Sequence, residues 1–445
     1  MQPNNNKTDH RSSAAPGLAV TVLRRGHTTL SRGYGDEVSS ETLFRAGSVT
    51  KSLVALIVLQ LIAEDRVQSD DPVVTHLPAF RTRNKTLSDA ITIEHLITHR
   101  SGLTTLDGNR DAPTTGDQTG PATVTEALSD AQLDAPPGAA FQYSNANYAV
   151  LTDLIETLEA RPFEAAAQTR IFAPLGMHRS YIGAPPSGIP AAVPYRLWFG
   201  QPVSWHPPSA VRTDRRWLGA GGWWTSSEDL ARFLEALRSR DSRVVPADSE
   251  RLFTPLEFAP GHGYAYGWFT DSTRETGPIL QHSGFTPGFL SLATIVPDSE
   301  TVVVVLTNMS GFAHGNLPAA ATHTVLGWEA VEATALLGAR IAIWSALAAP
   351  LGLLLLLFKT AGQLRDPARE TKRALNIIAS ILLLAGAVAL WFTYPRLVDA
   401  GFGTAWRHFP DLTLVTVAAM ALAVLLASAR LALVFVMPSA PSPQG

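Results

Sequence analysis

The chain has 445 residues, a formal net charge of −3 at pH 7 and no cysteine. A charge this close to zero offers no support for nucleic-acid binding, and the lack of cysteine excludes disulfides, thiolate zinc sites and cysteine catalysis. A chain of this length predicts roughly two to three domains.

The predicted elements begin after a polar tail, residues 1–15, for which we expect disorder. Two β-rich runs around the turn Arg25-Gly26-His27 predict a hairpin, and residues 52–62 have the apolar spacing of a helix. The later elements are a short helix 92–98, a loop 107–121, a helix 147–158, a Pro-rich irregular stretch 184–210, a helix 227–237, and strands 290–296 and 301–306. Strands at both ends with helices between them predict an α+β fold whose sheet is built from the two termini of the domain.

The segment Ser48-Val49-Thr50-Lys51 pairs a hydroxyl group with a lysine three residues later. If Ser48 opens the helix, Lys51 lies on the same face and can accept the hydroxyl proton. Lys51 is one of only five lysines in this arginine-rich chain. A buried lysine can act as a base, whereas arginine cannot. That role needs a pKa about 3 units below the free value of about 10.4. The alternative is an N-capping serine beside a solvated lysine.

Two later motifs add candidate side chains. Tyr143 and Asn145 lie two apart on a predicted extended segment and would point the same way into one cleft. Cationic neighbours would help Tyr143 lose its proton. His282 could carry a positive charge or donate a hydrogen bond, and Gly284 could let a substrate approach the backbone. The alternatives are a turn before the helix and a strand-edge histidine.

His95 and His99 are four apart on a predicted helix and resemble a two-histidine zinc face. Glu94 precedes both, unlike the His-Glu-x-x-His pattern of zinc proteases, so we predict no metal site. We interpret His99 as a helix residue that holds the turn 100–102. The chain has no Gly-x-Ser-x-Gly elbow and no phosphate-binding glycine loop, and we predict no cofactor.

Beyond residue 330 three apolar runs, 341–358, 374–394 and 412–429, carry no charge. Each approaches the roughly 20 residues that span a bilayer, and we expect helices near 336–358, 374–394 and 412–437 in a membrane anchor 331–445. The loop between the first two is rich in Lys and Arg, which places it in the cytoplasm and the preceding domain outside. The tail 1–15 has no apolar export signal. Either the native start lies upstream, which we prefer, or the domain is cytoplasmic.

The motifs occur in the order Ser-x-x-Lys, Tyr-x-Asn, His-x-Gly. From about residue 16 to 312 the chain resembles the serine β-lactamase and penicillin-binding-protein superfamily. It is most similar to the branch of class C β-lactamases, D-alanyl-D-alanine carboxypeptidases, D-amino-acid peptidases and related esterases. The similar stretches are Leu43–Lys51, Asp71–Val73, Ile93–His99, Ser101–Leu103, Pro174–Met177, Gly219–Gly222, His282–Phe289 and Val304–Asn308.

The resemblance implies a β-lactamase/transpeptidase-like fold for residues 16–330, with an antiparallel sheet flanked by helices and a helical subdomain. It implies that Ser48 is the acylated nucleophile and that Lys51 and Tyr143 together act as the general base. Asn145 would hold a substrate amide or orient Lys51.

The resemblance also implies substrate-binding roles for the His-x-Gly region. The N–H groups of Ser48 and Phe285 would form an oxyanion hole, and Gly284 would lie beside them. His282 stands where many members have a lysine that recognises a carboxylate. Histidine is mostly neutral at pH 7, which favours peptidase or esterase activity over strong β-lactamase activity.

The leading hypothesis is therefore a membrane-anchored serine hydrolase that acts through an acyl-enzyme on an amide or ester. Its partners would be a small D-amino-acid peptide or ester substrate and the membrane, and no nucleic acid. The alternative is a penicillin-binding sensor that is acylated without turnover, and a third hypothesis is an inactive scaffold. Substrate identity and oligomeric state are not predicted.

Overall fold

A computed structural model describes residues 16–35, 37–109, 128–205, 217–275, 277–311, 317–330, 344–364 and 373–435. The predicted tail 1–15 and most of the predicted loop 107–121 lie outside these ranges. The chain divides into two compact units, Met1–Leu197 with Gln201–Ala335, and Trp198–Gly200 with Leu336–Gly445.

The first unit contains the strands. In chain order they are β1 Gly17–Arg24, β2 His27–Gly35, β3 Phe44–Arg45, β4 Ser180–Ile182, β5 Tyr195–Trp198, β6 Gln201–Ser204, β7 Trp223–Thr225, β8 Leu256–Ala259, β9 His262–Ala265, β10 Trp268–Asp271, β11 Ile279–Thr286, β12 Phe289–Val296, β13 Thr301–Thr307 and β14 Met309–Ser310.

Its helices are mostly short. They are α1 Thr50–Ala63, α2 Val73–His76, α3 Lys85–Asp89, α4 Ile93–Ile97, α5 Thr105–Gly108, α6 Asn145–Glu159, α7 Phe163–Ala167, α8 Ala173–Leu175, α9 Leu218–Gly221, α10 Ser227–Arg238 and α11 Leu317–Leu326. The described residues of this unit also form the 3₁₀ turns Gly47–Val49, Glu250–Leu252 and Pro297–Ser299 and the π-helical turn Gln168–Phe172.

Eight strands form one antiparallel sheet in the order β2-β1-β13-β12-β11-β10-β9-β8. β1 pairs with β13, with Val20 opposite Val305, so the first and last long strands of the unit are neighbours. This confirms the prediction of a sheet built from both termini. Every residue of β12 and β13 is buried, which fits their mostly apolar sequences without alternation of polar and apolar residues.

The predicted hairpin is confirmed as β1–β2, and α10 begins after the N-cap Ser226, whose hydroxyl accepts from the Asp229 N–H. Two predictions need correction. The stretch 184–210, predicted to be irregular, contains the strands β5 and β6. The helix predicted from residue 147 already begins at Asn145.

The second unit contains four helices within the described residues: α12 Ala348–Leu364, α13 Arg373–Leu397, α14 Phe402–His408 and α15 Pro410–Phe435. Three segments are long and apolar enough to cross a membrane, and the mean hydropathies are 1.6 for Trp344–Gly362 and 2.3 for both Ala374–Leu397 and Pro410–Phe435. They match the three predicted runs. The expected start near 336 and the expected end near 437 lie outside the described residues.

Candidate active site

Ser48 lies in the 3₁₀ turn just before α1 and does not cap that helix. Gly47 has a φ of +55°, and a Cβ at this position would lie 2.8 Å from the backbone nitrogen of Phe285. Glycine therefore allows β11 to approach the turn that presents Ser48. The Ser291 hydroxyl donates to the Ala46 carbonyl at 2.7 Å and holds the same turn. This close approach brings the N–H groups of Ser48 and Phe285, which were predicted to form the oxyanion hole, to neighbouring positions.

Gly284 is required by the same close approach. A Cβ on Gly284 would lie 2.0 Å from the Ala46 carbonyl oxygen and 2.2 Å from Ser291 Oγ. The space beside this glycine is filled by the chain itself. Gly284 therefore has a structural reason to be glycine in addition to the predicted role in admitting a substrate.

Lys51 is held inside the protein by a helix that is buried on all sides, since Thr50 through Leu61 are all buried. Its Nζ lies 3.1 Å from Ser48 Oγ, 2.7 Å from Asn145 Oδ1 and 2.9 Å from the Ala220 carbonyl oxygen. Burial lowers the pKa of Lys51 well below its ordinary value. A neutral amine has two N–H groups and one lone pair. The two carbonyl oxygens take the hydrogens, which leaves the lone pair for the Ser48 hydroxyl.

Tyr143 reaches the same hydroxyl from the other direction. Its ring centroid lies 5.0 Å from Lys51 Nζ, and the Ser48 hydroxyl is near enough to influence the pKa of the phenol. Burial raises the pKa of Tyr143 above its ordinary value, although the nearby Ser48 hydroxyl acts in the opposite sense. The expectation that Tyr143 would lose its proton easily is therefore wrong. A phenol that stays protonated can pass a proton on, while the lysine is the group that accepts one.

Asn145 is the first residue of α6, so the predicted extended segment ends one residue earlier, at the N-cap Ser144. Both Tyr143 and Asn145 nevertheless reach the Ser48–Lys51 pair. Asn145 Oδ1 accepts from Lys51, and Nδ2 donates to Asn109 Oδ1 at 2.8 Å. These two bonds fix which end of the carboxamide faces the lysine. The geometry thus favours the role of orienting Lys51.

His99 lies beyond the end of α4, with a φ of +58°, and does not share a helix face with His95. Its buried Nδ1 accepts from the Ser144 N–H at 3.2 Å and the Asn147 amide at 3.0 Å. The ring centroid lies 4.4 Å from that of Tyr143. His99 therefore supports the Tyr143–Asn145 segment. Through Asn147, whose Oδ1 accepts from the Ser101 hydroxyl at 2.6 Å, it is also connected to the turn 100–102.

The His95 side chain caps the N-terminus of its own helix, α4. Its Nδ1 accepts from the Thr92 N–H at 3.2 Å as part of a capping box. In the ranges that the structure describes, no group of three or more His, Cys, Asp or Glu side chains could hold a metal ion. The zinc-face alternative has no geometric support.

His282 lies on β11 and is only 1% exposed. Burial, and next the charge of Lys51, lower its pKa to about 3. Its Nδ1–H donates to the carbonyl of Ser283 at 2.8 Å, and Nε2 lies 3.3 Å from the Tyr264 hydroxyl. Of the two possibilities raised for His282, the positive charge is not supported, and the hydrogen-bond donor is present and binds the carbonyl of the next residue. The ring is neutral at pH 7, as expected from the ordinary pKa of histidine.

Several contributors were not found from the sequence. Asn109 and the Ala220 carbonyl each contact a site residue distant in the chain, and no spacing rule relates them to Ser48. Ser291 likewise contacts the turn that presents Ser48 from a distant part of the chain, and no spacing rule predicts this contact. Gly47 had a signal, because a glycine directly before a nucleophile is consistent with a turn of positive φ.

Comparisons with known proteins support the resemblance. A profile described as Beta-lactamase matches residues 5–325. "Protein flp" of Staphylococcus aureus (strain N315) is 26% identical over an alignment of 320 residues, and the match covers 68% of this chain and 61% of that relative. The chain therefore spans less than two thirds of that relative's length.

Two solved structures resemble the chain. The octameric penicillin-binding protein homologue from Pyrococcus abyssi is 26% identical, with a TM-score of 0.61 over 72% of this chain and 75% of that one. A D-stereospecific amidohydrolase from Streptomyces sp. is 25% identical, with a TM-score of 0.57 over 66% of this chain and 90% of that one.

Proposed function

The chain belongs to the β-lactamase family, and from that premise we propose that it is a membrane-anchored serine hydrolase that works through an acyl-enzyme. One observation carries the proposal. The Lys51 amine is fully buried, it is bonded to two carbonyl oxygens, and it faces the Ser48 hydroxyl at 3.1 Å. A structural lysine has no need of this arrangement, whereas a general base does.

Acylation begins when Ser48 Oγ attacks the carbonyl carbon of the substrate and its proton moves to Lys51 Nζ. The carbonyl oxygen becomes an oxyanion that the N–H groups of Ser48 and Phe285 stabilise, and losing one such donor typically costs on the order of 3 kcal/mol. Asn145 keeps the lone pair of Lys51 directed at Ser48.

The leaving group departs with a proton. Tyr143 donates its phenolic proton to the leaving nitrogen or oxygen as the bond to the carbonyl carbon breaks, and the proton that Lys51 took from Ser48 restores the phenol. Water then attacks the ester of Ser48 and gives its proton to Lys51, which passes it to Ser48 Oγ as the ester bond breaks, and the free acid is released. Protons and charges balance over the cycle.

Two observations support the proposed substrate class. The similarity to the Streptomyces D-stereospecific amidohydrolase favours an amide or ester of a D-amino acid. A neutral His282 gives a β-lactam carboxylate no positive partner at that position. We therefore expect weak or no β-lactamase activity.

The three apolar segments supply the proposed anchor, because their length and composition suit a bilayer. The Lys- and Arg-rich loop between the first two would lie in the cytoplasm. The catalytic unit would then act outside the membrane.

The test is labelling with a fluorophosphonate and an activated D-amino-acid ester, with the adduct located by mass spectrometry. We expect the adduct on Ser48, steady release of product, and neither in Ser48→Ala. A Ser48→Ala protein that hydrolyses every substrate at the wild-type rate would refute the proposal. A stoichiometric burst without turnover would replace the hydrolase with the sensor.

A further inference from the structure

Three aromatic side chains continue away from the catalytic tyrosine and form with it what we call the aromatic wall: Phe141, Tyr143, Phe258 and Phe269. Phe269 is nearly parallel to Tyr143, with ring centroids 5.9 Å apart and an interplanar angle of 20°. Phe141 stacks on Phe258 at 4.6 Å and lies 6.2 Å from Phe269. Three separate segments, the loop before α6 and the strands β8 and β10, thus supply one continuous apolar surface.

The aromatic wall is open to ligands. Phe258 is 44% exposed, and Phe141, Tyr143 and Phe269 are each only partly buried. Rings that served the core alone would be enclosed, as Tyr148 and Tyr264 are at 0% exposure. An exposed aromatic surface next to a nucleophile suits a flat apolar group of a substrate.

Within the described residues, the groups beside the wall offer no partner to an anion. His282 adjoins it, with its ring centroid 5.3 Å from Phe269, and its Nδ1–H is already bonded to the Ser283 carbonyl. In the described part of the chain, Lys51 is the cation that the structure places over Tyr143, and its hydrogens go to Asn145 and Ala220. A carboxylate on this surface would lose its hydration without gaining an ion pair.

The proposed mechanism indicates which part of the substrate contacts the aromatic wall. The proton for the leaving group comes from Tyr143, so the leaving atom must lie within hydrogen-bonding distance of its hydroxyl. The rest of the leaving group then extends over the ring next to Tyr143, which is Phe269. The amides of Asn145 and Asn109, which bond to each other at 2.8 Å, form a polar part of the site that is not in the wall.

We propose that the aromatic wall is the leaving-group subsite, and that it selects amines or alcohols that carry an aromatic side chain and no free carboxylate. This inference rests on the proposed hydrolase function and deepens it. A hydrophobic subsite that gains several carbon atoms of a ring discriminates by at least about tenfold.

The test compares three substrates with the same D-alanyl acyl group, counting only cleavage of the bond after D-alanine. They are D-alanyl-D-phenylalanine amide, D-alanyl-D-alanine amide and D-alanyl-D-phenylalanine with a free carboxylate. We expect kcat/KM for the first to exceed each of the others by about tenfold or more. Equal values, or a preference for the free carboxylate, would overturn the inference while leaving the hydrolase intact.

A variant ties the preference to the wall. Phe269→Leu should lower the ratio of the first two kcat/KM values at least about threefold, and Tyr34→Leu, on the remote strand β2, should leave it unchanged. Labelling of Ser48 checks that each variant folds, and Phe258→Leu replaces Phe269→Leu if that check fails. An unchanged ratio in the folded variant refutes the assignment. Failure of the wild type both to label and to cleave any substrate refutes the hydrolase proposal as well.

Discussion

The two units of this molecule differ in the side chains that they bury and expose. The first unit buries ionisable side chains, with Lys51 and His99 at 0% and His282 at 1% exposure. The second displays large apolar side chains, with Leu382 at 66% and Leu397 at 81%. A water-soluble domain rarely does either on this scale.

The contrast separates two reasons for an unfavourable arrangement. Burying a lysine costs stability, which a protein tolerates where the shifted pKa serves chemistry. Exposing leucine costs stability only in water, and in lipid the same surface is favourable. The first unit thus points to catalysis and the second to a bilayer.

The largest effect should come from replacing the buried base. Lys51→Arg keeps the charge but removes the ability to accept a proton, so kcat/KM should fall about 10³-fold, or about 4 kcal/mol of transition-state stabilisation. Lys85→Arg, at an exposed ion pair with Asp89, is the matched control and should change little. Steady-state kinetics decide the matter, and a Lys51→Arg enzyme near the wild-type rate would remove lysine from the base role.

The apolar surface of the second unit can be challenged with a charge. Leu382→Arg, within α13, should make insertion of that segment less favourable by about 2.5–3.5 kcal/mol, because the arginine would meet hydrocarbon. Leu397→Arg, at the end of the same helix, should cost far less, since its charge can reach the interface. A glycosylation-based insertion assay measures both. Equal costs at the two positions would argue against a spanning helix.

Acid stability probes the buried histidine. His282 has a pKa of about 3 in the folded protein and about 6.5 when unfolded, so between these values only the unfolded chain binds the proton. Folding stability should therefore fall as the pH drops from about 6.5 towards 3, by up to about 1.4 kcal/mol per pH unit from this group. Thermal melts in detergent should show a smaller decline for His282→Gln than for His27→Gln. An identical decline would show that His282 is not buried as a neutral ring.

The smallest effect concerns the group that holds Asn145. Asn109→Ala removes one hydrogen bond, worth about 1 kcal/mol, and should lower kcat about fivefold by loosening Lys51. Asn109→Asp keeps the acceptor oxygen and should restore most of the rate on the alkaline plateau, where Lys51 is neutral. If both variants match the wild type in kcat and in the acid limb of the pH–rate profile, Asn109 has no positioning role.

The sequence predicted the sheet and the main side chains of the site, because strand patterning and the Ser48–Lys51 spacing are local signals. It did not predict that Tyr143 keeps its proton or how far the pKa of His282 falls. Their pKa values depend on burial by segments far away in the chain, which no local pattern records. The Asn109–Asn145 contact was missed for a similar reason, since it joins the end of α5 to the start of α6 across an intervening segment.

Direct titration of Lys51 tests the central claim. The chain has five lysines, so selective ¹³Cε labelling of lysine in the full-length protein gives few NMR signals, and Lys51→Arg assigns the one of interest. We predict that this signal titrates well below the ordinary lysine pKa of about 10.4. A Lys51 signal that titrates at the ordinary value would contradict the proposed base.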